Sequence, residues 1–258
     1  MTTLSAVIVH YNTPDLLKRC LGAIFSEPAA LPLEVIVVDN ASPDSRVRDL
    51  PPEFPSAIFR FNPDNLGFAR ACNQGIGMGE GRYVLLLNPD TMIEKKGLER
   101  MVAFMETHTD AGASGPRMVY PDGRLQHSCR RFPTLLALLL RVARLDSLVQ
   151  TPVRRYLMAE WDHASVREVD WVIGGCLMLR RDAAEQVGLL DEAFFMYYED
   201  IDLCYRLWQA GWKVYYNPEV TVLHDYQRTS ARALPNRLSY AHAKSLLRLL
   251  RKQRMAWF

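Results

Sequence analysis

Apolar residues in the N-terminal part of the chain fall in short, unbroken runs rather than strict alternation, as in SAVIVHY (5–11), LEVIVVDN (33–40) and RYVLLLNPD (82–90). Continuous runs ended by turn residues predict strands covered on both faces, as in a parallel sheet. AIFRFN (57–62) reads as a further strand. Between the runs the period changes. Thr13 is placed as an N-cap and Pro14 in a first helical turn, with Leu17, Leu21 and Ile24 following at helical spacing. GFARACNQGI predicts a second helix with Ala69, Cys72 and Ile76 turned inward. Strand and helix thus alternate, and the expected fold is α/β, a Rossmann-like, mostly parallel central sheet flanked by helices. In such sheets ligands sit beyond the carboxyl ends of the strands. Tyr11, Asn12, Asp39, Asn40, Asn88 and Asp90 all lie at such ends.

Beyond residue 100 the pattern changes. MVYPDGRLQ predicts a hairpin around Pro121-Asp122-Gly123, and VDWVIGGCLMLRR a strand entered through glycines. FFMYYEDIDLCYRLWQAGW predicts a helix with Ile201, Cys204, Leu207 and Trp208 on one face, ending at Gly211. With no internal repeat and no low-complexity linker, the expectation is one compact unit over 1–232. A nucleotide-binding half (1–100) and an acceptor half (101–232) precede a basic helical tail (233–258).

At 258 residues and 49% hydrophobic, the chain can bury a sizeable core. Its formal charge of +2 is too small to imply nucleic-acid binding. Five cysteines without CxxC pairs suit free thiols in a reducing compartment, and the first residues lack the pattern of an export signal. The greasiest run, Leu135–Leu140, is broken by Arg141 and Arg144 and falls short of the ~20 residues of a spanning helix. A cytoplasmic protein is expected.

Neither GxGxxG after the first strand nor GxxxxGK[ST] anywhere is present, which weighs against a dinucleotide dehydrogenase and a P-loop phosphotransferase. Phosphates would then be held otherwise, and the usual alternative is Mg²⁺ or Mn²⁺ bound through one or two carboxylates.

AVIVHYNTPDLLKRCL, VIVVDNASPD, NLGFARACNQGI, LLLNPDT, WVIGGCLMLRR and FFMYYEDIDLCYRLWQAGWKVYYNPEVTVLH, in this order, resemble the inverting family-2 glycosyltransferases of GT-A fold. Among these the chain is most similar to the bacterial rhamnosyltransferase-like branch, over Ser5 to Arg232. The resemblance implies that Tyr11, Asn12 and Thr13 frame a nucleoside. It also implies that Asp39 accepts from a pyrimidine N–H, with a turn-forming role for Asp39 and Asn40 as the alternative. Arg70 corresponds to a basic residue near the nucleotide, or is an exposed helix charge. Asp90 takes the last position of the family's DxD metal motif. Asn88 replaces the first aspartate and better suits ribose than metal. His224 matches a downstream histidine used as a further ligand, or is structural.

The resemblance also implies a catalytic base, and the acidic pair Glu199 and Asp200 is its expected source, with Asp200 the base proper. The alternative is a run of acids at a helix start. Gly174 and Gly175 let backbone approach donor and acceptor, or form a bulge. Trp171 and Tyr197 either stack on sugars or pack inside. Arg228 or Arg232 is expected to meet the diphosphate.

Two basic stretches, RRFPTLLALLLRVARLDSLVQTPVRR and the tail RLSYAHAKSLLRLLRKQRMAWF, suit an anionic membrane interface. A core or oligomer-forming helix with a solvated basic face is the alternative. The expected activity is transfer of a sugar from a dTDP or UDP donor, with L-rhamnose from dTDP-rhamnose foremost, to a polysaccharide or lipid-linked saccharide. A peripheral location at the inner face of the plasma membrane would suit it. The rivals are a sugar-phosphate nucleotidyltransferase and a non-catalytic nucleotide-sugar-binding protein.

Overall fold

The computed structural model describes residues 2–134, 136, 150–225 and 237–252. Strands β1 (Leu4–His10), β2 (Leu33–Asp39), β3 (Ala57–Phe61) and β4 (Tyr83–Leu87) lie parallel in the order β3-β2-β1-β4. β1 is buried at every position. Its alternate side chains feed two cores: Leu4, Ala6 and Ile8 pack in one with Leu17 and Leu21 of α1 (Pro14–Ile24) and Met101 and Met105 of α4 (Gly97–Thr107). Val7 and Val9 join the other, with Ala69, Cys72 and Ile76 of α3 (Phe68–Met78). The period-two alternation that an amphipathic strand spends on water is here spent on two helical layers, hence the continuous runs in the sequence. A short helix, α2 (Leu50–Glu53), precedes β3.

The sheet continues past β4 with mixed polarity. β5 (Thr91–Ile93), β6 (Ala111–Val119), β7 (Leu125–Gln126), β9 (Arg167–Glu168), β11 (Cys176–Arg180) and β12 (Lys213–His224) extend it to ten strands, while β8 (Cys129–Arg130) and β10 (Trp171–Val172) form a separate ribbon. The strand expected to be entered through glycines is β11, which follows Gly174 and Gly175, while Trp171–Val172 before them forms β10 in the ribbon. β11 runs antiparallel to both β4 and β6 and ties the halves into one sheet. The expected hairpin is present, with Gly123 in the left-handed region (φ 81°) and β7 returning on β6. β12 shifts register against β6 between Asn217 and Thr221, where Pro218 has no N–H for the ladder. Its far end runs antiparallel to β5, placing His224 opposite Thr91 and so beside the turn that holds Asp90.

Helices α5 (Gln150–Tyr156), α6 (Arg181–Gln186) and α7 (Glu199–Gln209) follow, α7 with Ile201, Cys204 and Leu207 buried as the spacing predicts. Thr13 sits at the N-cap of α1 but forms no side-chain cap bond; its N–H donates instead to His10 Nε2 at 2.9 Å. All five cysteines are free and buried, and burial pushes the thiols of Cys20, Cys129 and Cys204 up to about 12.

Helix α8 (Arg237–Lys252) lies against the segment leading into α7. Asp191 binds Arg248 at 2.8 Å and Lys252 at 2.7 Å. Burial pushes the Asp191 carboxyl up, but Lys252, Arg248 and the Ala193 N–H outweigh it and bring it down to about 2. A carboxyl lowered on folding stabilises the native state above its unfolded pKa and loses that contribution as pH falls through the folded value. Asp191→Asn should therefore cost about 1–2 kcal/mol at neutral pH. In chemical denaturation across a pH series, the gap from wild type should shrink as pH drops from 3.8 toward about 2.

Candidate active site

The register of β1 with β2 sets His10 beside Asp39. Both are buried, with His10 Nδ1 2.8 Å from Asp39 Oδ1. Because Nε2 accepts from Thr13 N–H, the ring is held with its proton on Nδ1, donating to the carboxylate. Ser42 donates its hydroxyl to Asp39 Oδ1 and its N–H to Oδ2, and the Asn12 N–H donates to Ser42 Oγ at 2.8 Å. Burial pushes the Asp39 carboxyl up, but these hydrogen bonds outweigh it and keep the group below the ordinary carboxylate value. The loops after β1 and β2, with Asn12 and Ala41 both left-handed, are thereby tied to one anion, and Tyr11 projects from them, 50% exposed. Neither His10 nor Ser42 stands out in the sequence.

Asn40 is spent elsewhere. Its Oδ1 accepts from Leu66 N–H at 3.0 Å, and its Nδ2 donates to Asn65 Oδ1 at 2.9 Å and to Gly67 O. Of the two roles open to it, Asn40 fills the scaffolding one, fixing the loop before α3. Arg70 points outward and pairs with Glu192 at 3.6 Å, both half-exposed.

At the end of β4, Asn88 O accepts from both Thr91 N–H (3.2 Å) and Thr91 Oγ1 (2.6 Å), closing the Asn-Pro-Asp turn. Asp90 Oδ1 is buried and receives no hydrogen bond among the described residues, and it stands 3.3 Å from His224 Nε2. Gln126 orients that histidine: its Nε2 donates to His224 O at 2.9 Å, so its Oε1 is the atom that meets His224 Nδ1 at 2.8 Å. In the neutral ring the proton then sits on Nδ1, and Nε2 turns a lone pair toward a carboxylate oxygen. Two facing acceptors share an affinity for a cation, so the arrangement fits Mg²⁺ or Mn²⁺. Among the described residues no group of three or more His, Cys, Asp or Glu could hold a metal. The remaining coordination positions would fall to ligand oxygens and water.

Asp200 occupies the first turn of α7. Its Oδ2 accepts from Gly174 N–H at 3.0 Å and its Oδ1 from Ile201 N–H at 2.8 Å. The neighbouring glycine faces the other acid: Asn88 N–H donates to Gly175 O at 2.9 Å, and a Cβ on Gly175 would sit 3.6 Å from His224 Cε1. A Cβ on Gly174 would sit 3.7 Å from the Asp200 Cβ. Two consecutive glycines, about 3.8 Å apart at Cα, thus lie one against Asp200 and the other against Asn88 and His224, the neighbour of Asp90.

Burial raises the Asp200 carboxyl above its ordinary value, with Gly174 N–H, Ile201 N–H and the charge of Arg130 pulling the other way. Glu199, 5% exposed with Oε2 lacking a hydrogen-bond partner, is raised well above the ordinary value by burial and then by Asp200. The more buried Glu199 keeps the proton, leaving the half-buried Asp200, with two backbone donors, as the anion. A carboxylate of raised pKa with an exposed edge can accept a proton from a hydroxyl.

The loop before α7 is strained. Tyr197 (φ 68°) and Tyr198 (φ 70°) are consecutive left-handed residues, each costing roughly 1–3 kcal/mol. It is also tightly seated: Phe68 N–H donates to Phe195 O at 2.7 Å, and a Cβ on Gly67, itself at φ 86°, would lie 2.6 Å from that oxygen. Trp171 is buried, with Nε1 donating to Arg131 O at 2.8 Å and Arg130 over its ring, so it packs inside and offers no face to a sugar. Arg228 and Arg232 lie outside the described residues, as does most of the apolar stretch after Thr134.

The model of Glycosyl transferase family 2 matches residues 5–188. The chain is 30% identical over 266 residues to an N-acetylglucosaminyl-diphospho-decaprenol L-rhamnosyltransferase of Mycobacterium tuberculosis, covering 99% of this chain and 86% of that one. It is 29% identical over 175 residues to rhamnosyltransferase WbbL of Escherichia coli, covering 67% of this chain and 63% of that one. Its fold matches GalNAc-T7, solved with UDP, GalNAc and Mn²⁺, at a TM-score of 0.67 and 17% identity, over 88% of this chain and 44% of that one. With its mixed α/β sheet in the GT-A arrangement, the chain belongs to the family-2 glycosyl transferases, in their rhamnosyltransferase-like branch.

Proposed function

We propose that this protein transfers L-rhamnose from dTDP-L-rhamnose to a lipid-linked saccharide, with inversion at the anomeric carbon. The observation that supports the reading is the Gly174–Gly175 pair, with Gly174 against Asp200 and Gly175 against Asn88 and His224, the neighbour of Asp90. The mycobacterial and Escherichia coli relatives are rhamnosyltransferases, which supports rhamnose, and the decaprenol of the former supports a lipid-linked acceptor.

Tyr11, Asn12 and Thr13 frame the nucleoside, and Asp39, held ionised by His10 and Ser42, accepts from the pyrimidine N–H. Asn88 meets the ribose. Asp200 takes the proton of the acceptor hydroxyl as its oxygen bonds to the anomeric carbon and the bond from that carbon to the diphosphate oxygen breaks. Asp90 and His224 would hold a divalent cation, Mg²⁺ or Mn²⁺, which when bound would supply positive charge against that developing on the departing diphosphate. Glu199, uncharged, adds no second negative charge beside the base. Gly174 and Gly175 leave room for donor and acceptor, and the ring of Tyr197 lines the acceptor side.

A lipid-linked acceptor is met at a membrane surface, and α8 turns Tyr240 (74% exposed), Lys244, Leu247 (55% exposed) and Arg251 to solvent. A basic face with apolar members suits peripheral binding to anionic lipid. No helix among the described residues is long and apolar enough to cross a membrane.

A melting panel of dTDP-L-rhamnose, UDP-GlcNAc and GDP-mannose with Mn²⁺ should give its largest shift with dTDP-L-rhamnose, since stabilisation follows affinity and concentration. No shift from any of the three would remove the proposed donor class. Asp200→Asn should lower transfer about 10²- to 10⁴-fold while leaving the melting temperature near wild type. In the wild type, kcat/KM should fall as pH drops through a value above the ordinary 3.8, because the protonated carboxyl is no longer a base. A wild-type rate in Asp200→Asn would sink the assignment. Gln126→Leu should weaken Mn²⁺ binding, measured by titration with dTDP present, about 10- to 100-fold; an unchanged titration would mean that Gln126 does not orient His224 for metal.

A further inference from the structure

Consecutive left-handed tyrosines persist only where their surroundings over-determine them. Part of what surrounds Tyr197 and Tyr198 comes from the C-terminal helix. The His242 ring lies 5.0 Å from the Tyr197 ring and 5.1 Å from the Tyr198 ring, edge-on to both, and its Nε2 is 3.4 Å from Tyr198 Oη. Ser245, buried, donates to Met196 O at 2.9 Å. Leu249 is fully buried, and Lys252 reaches both Asp191 and, at 2.9 Å, Asp202 of α7. Residues 242, 245, 249 and 252 share one face of α8 by helical spacing, and their contacts reach the stretch 191–202 that carries Asp200. The sequence presents this helix as a tail beyond the family's motifs. In the structure it grips the loop that delivers the acid.

We propose that His242 and Ser245 are positioning residues: α8 acts as a clamp that holds Met196–Tyr198 in its strained path and so sets the direction from which Asp200 faces the cleft. The proposal rests on Asp200 as the base. The contacts of His242 and Ser245 given above fall on Met196, Tyr197 and Tyr198. Their loss should act on turnover and leave donor affinity alone, which separates positioning from general folding support.

The test uses the full chain, with Mn²⁺ and the nucleotide sugar that gives the largest melting shift in the panel above. His242→Ala and Ser245→Ala should each lower kcat for donor hydrolysis about ten- to a hundredfold. The donor Kd should stay within about twofold. His242→Phe, which keeps the edge contacts with both rings, should restore most of the rate. The double variant Asp200→Asn/His242→Ala should be no slower than Asp200→Asn alone, because the histidine acts through the aspartate. By hydrogen exchange, amides 196–201 should open faster in His242→Ala and Ser245→Ala, with β1–β4 unchanged. Wild-type kcat in both single alanine variants, a parallel loss of donor binding, or unchanged exchange at 196–201 would each overturn the clamp. If Asp200→Asn alone keeps the wild-type rate, the base assignment falls; if it loses activity while His242→Ala does not, only the clamp falls.

Discussion

The architecture of the site depends on backbone atoms meeting where side chains are missing. Gly174 gives its N–H to Asp200 and Gly175 gives its carbonyl to Asn88, so adjacent peptide groups fix the positions of two acidic loops. Any side chain at Gly175 would be in contact with Asn88 and His224, taking up the space between them. The constraint is geometric before it is energetic. A hydrogen bond of this kind is worth about 0.5–1.5 kcal/mol net, but one made by the backbone costs little side-chain entropy and cannot swing away.

That contact is possible because of where β11 enters the sheet. Inserted antiparallel between β4 and β6, it starts at Cys176 opposite Leu87, which brings Gly175 beside Asn88. The same sheet, two strands further on, pairs the end of β12 with β5 and delivers His224 to Asp90. Gly175 and His224 therefore reach the site through strand register, which a one-residue slip would reverse. The Asn217–Thr221 shift in β12 falls upstream of His224 and is one of the features that fixes which side chain faces Asp90.

Much of this was legible in the sequence because it is local. The apolar runs marked β1, β2 and β4, helical spacing marked α1, α3 and α7, and Pro-Asp-Gly marked the turn before β7. Strand ends placed Asp39, Asn88 and Asp90 at the carboxyl edge of the sheet, and β2 does end at Asp39 and β4 just before Asn88. What escaped notice is non-local. Gln126 acts on His224 across 98 positions and His10 on Asp39 across 29, and neither residue carries a local pattern that distinguishes it from a turn glutamine or a strand histidine. Asn40 and Trp171 show the same limit from the other side. Each has the right chemistry at a plausible place, but their hydrogen-bonding groups are consumed by loop residues whose arrangement no short window encodes.

The adjacent acids before α7 illustrate how one fold separates two identical functional groups. Glu199 and Asp200 are consecutive, both are destabilised as anions by burial, and the Asp200 charge raises Glu199 further. What differs is their hydrogen bonding: Asp200 has two backbone N–H donors, whereas Glu199 Oε2 has no partner. Donors to the charged form favour ionisation, and an unpartnered buried oxygen disfavours it, so the single negative charge the pair can hold most easily settles on Asp200. The left-handed tyrosines lead straight into the pair, and the chain beyond them presents Asp200 to Gly174 while Glu199 is buried. Backbone strain at 197–198 and proton placement at 199–200 are on this account one arrangement, and relaxing the first would alter the second.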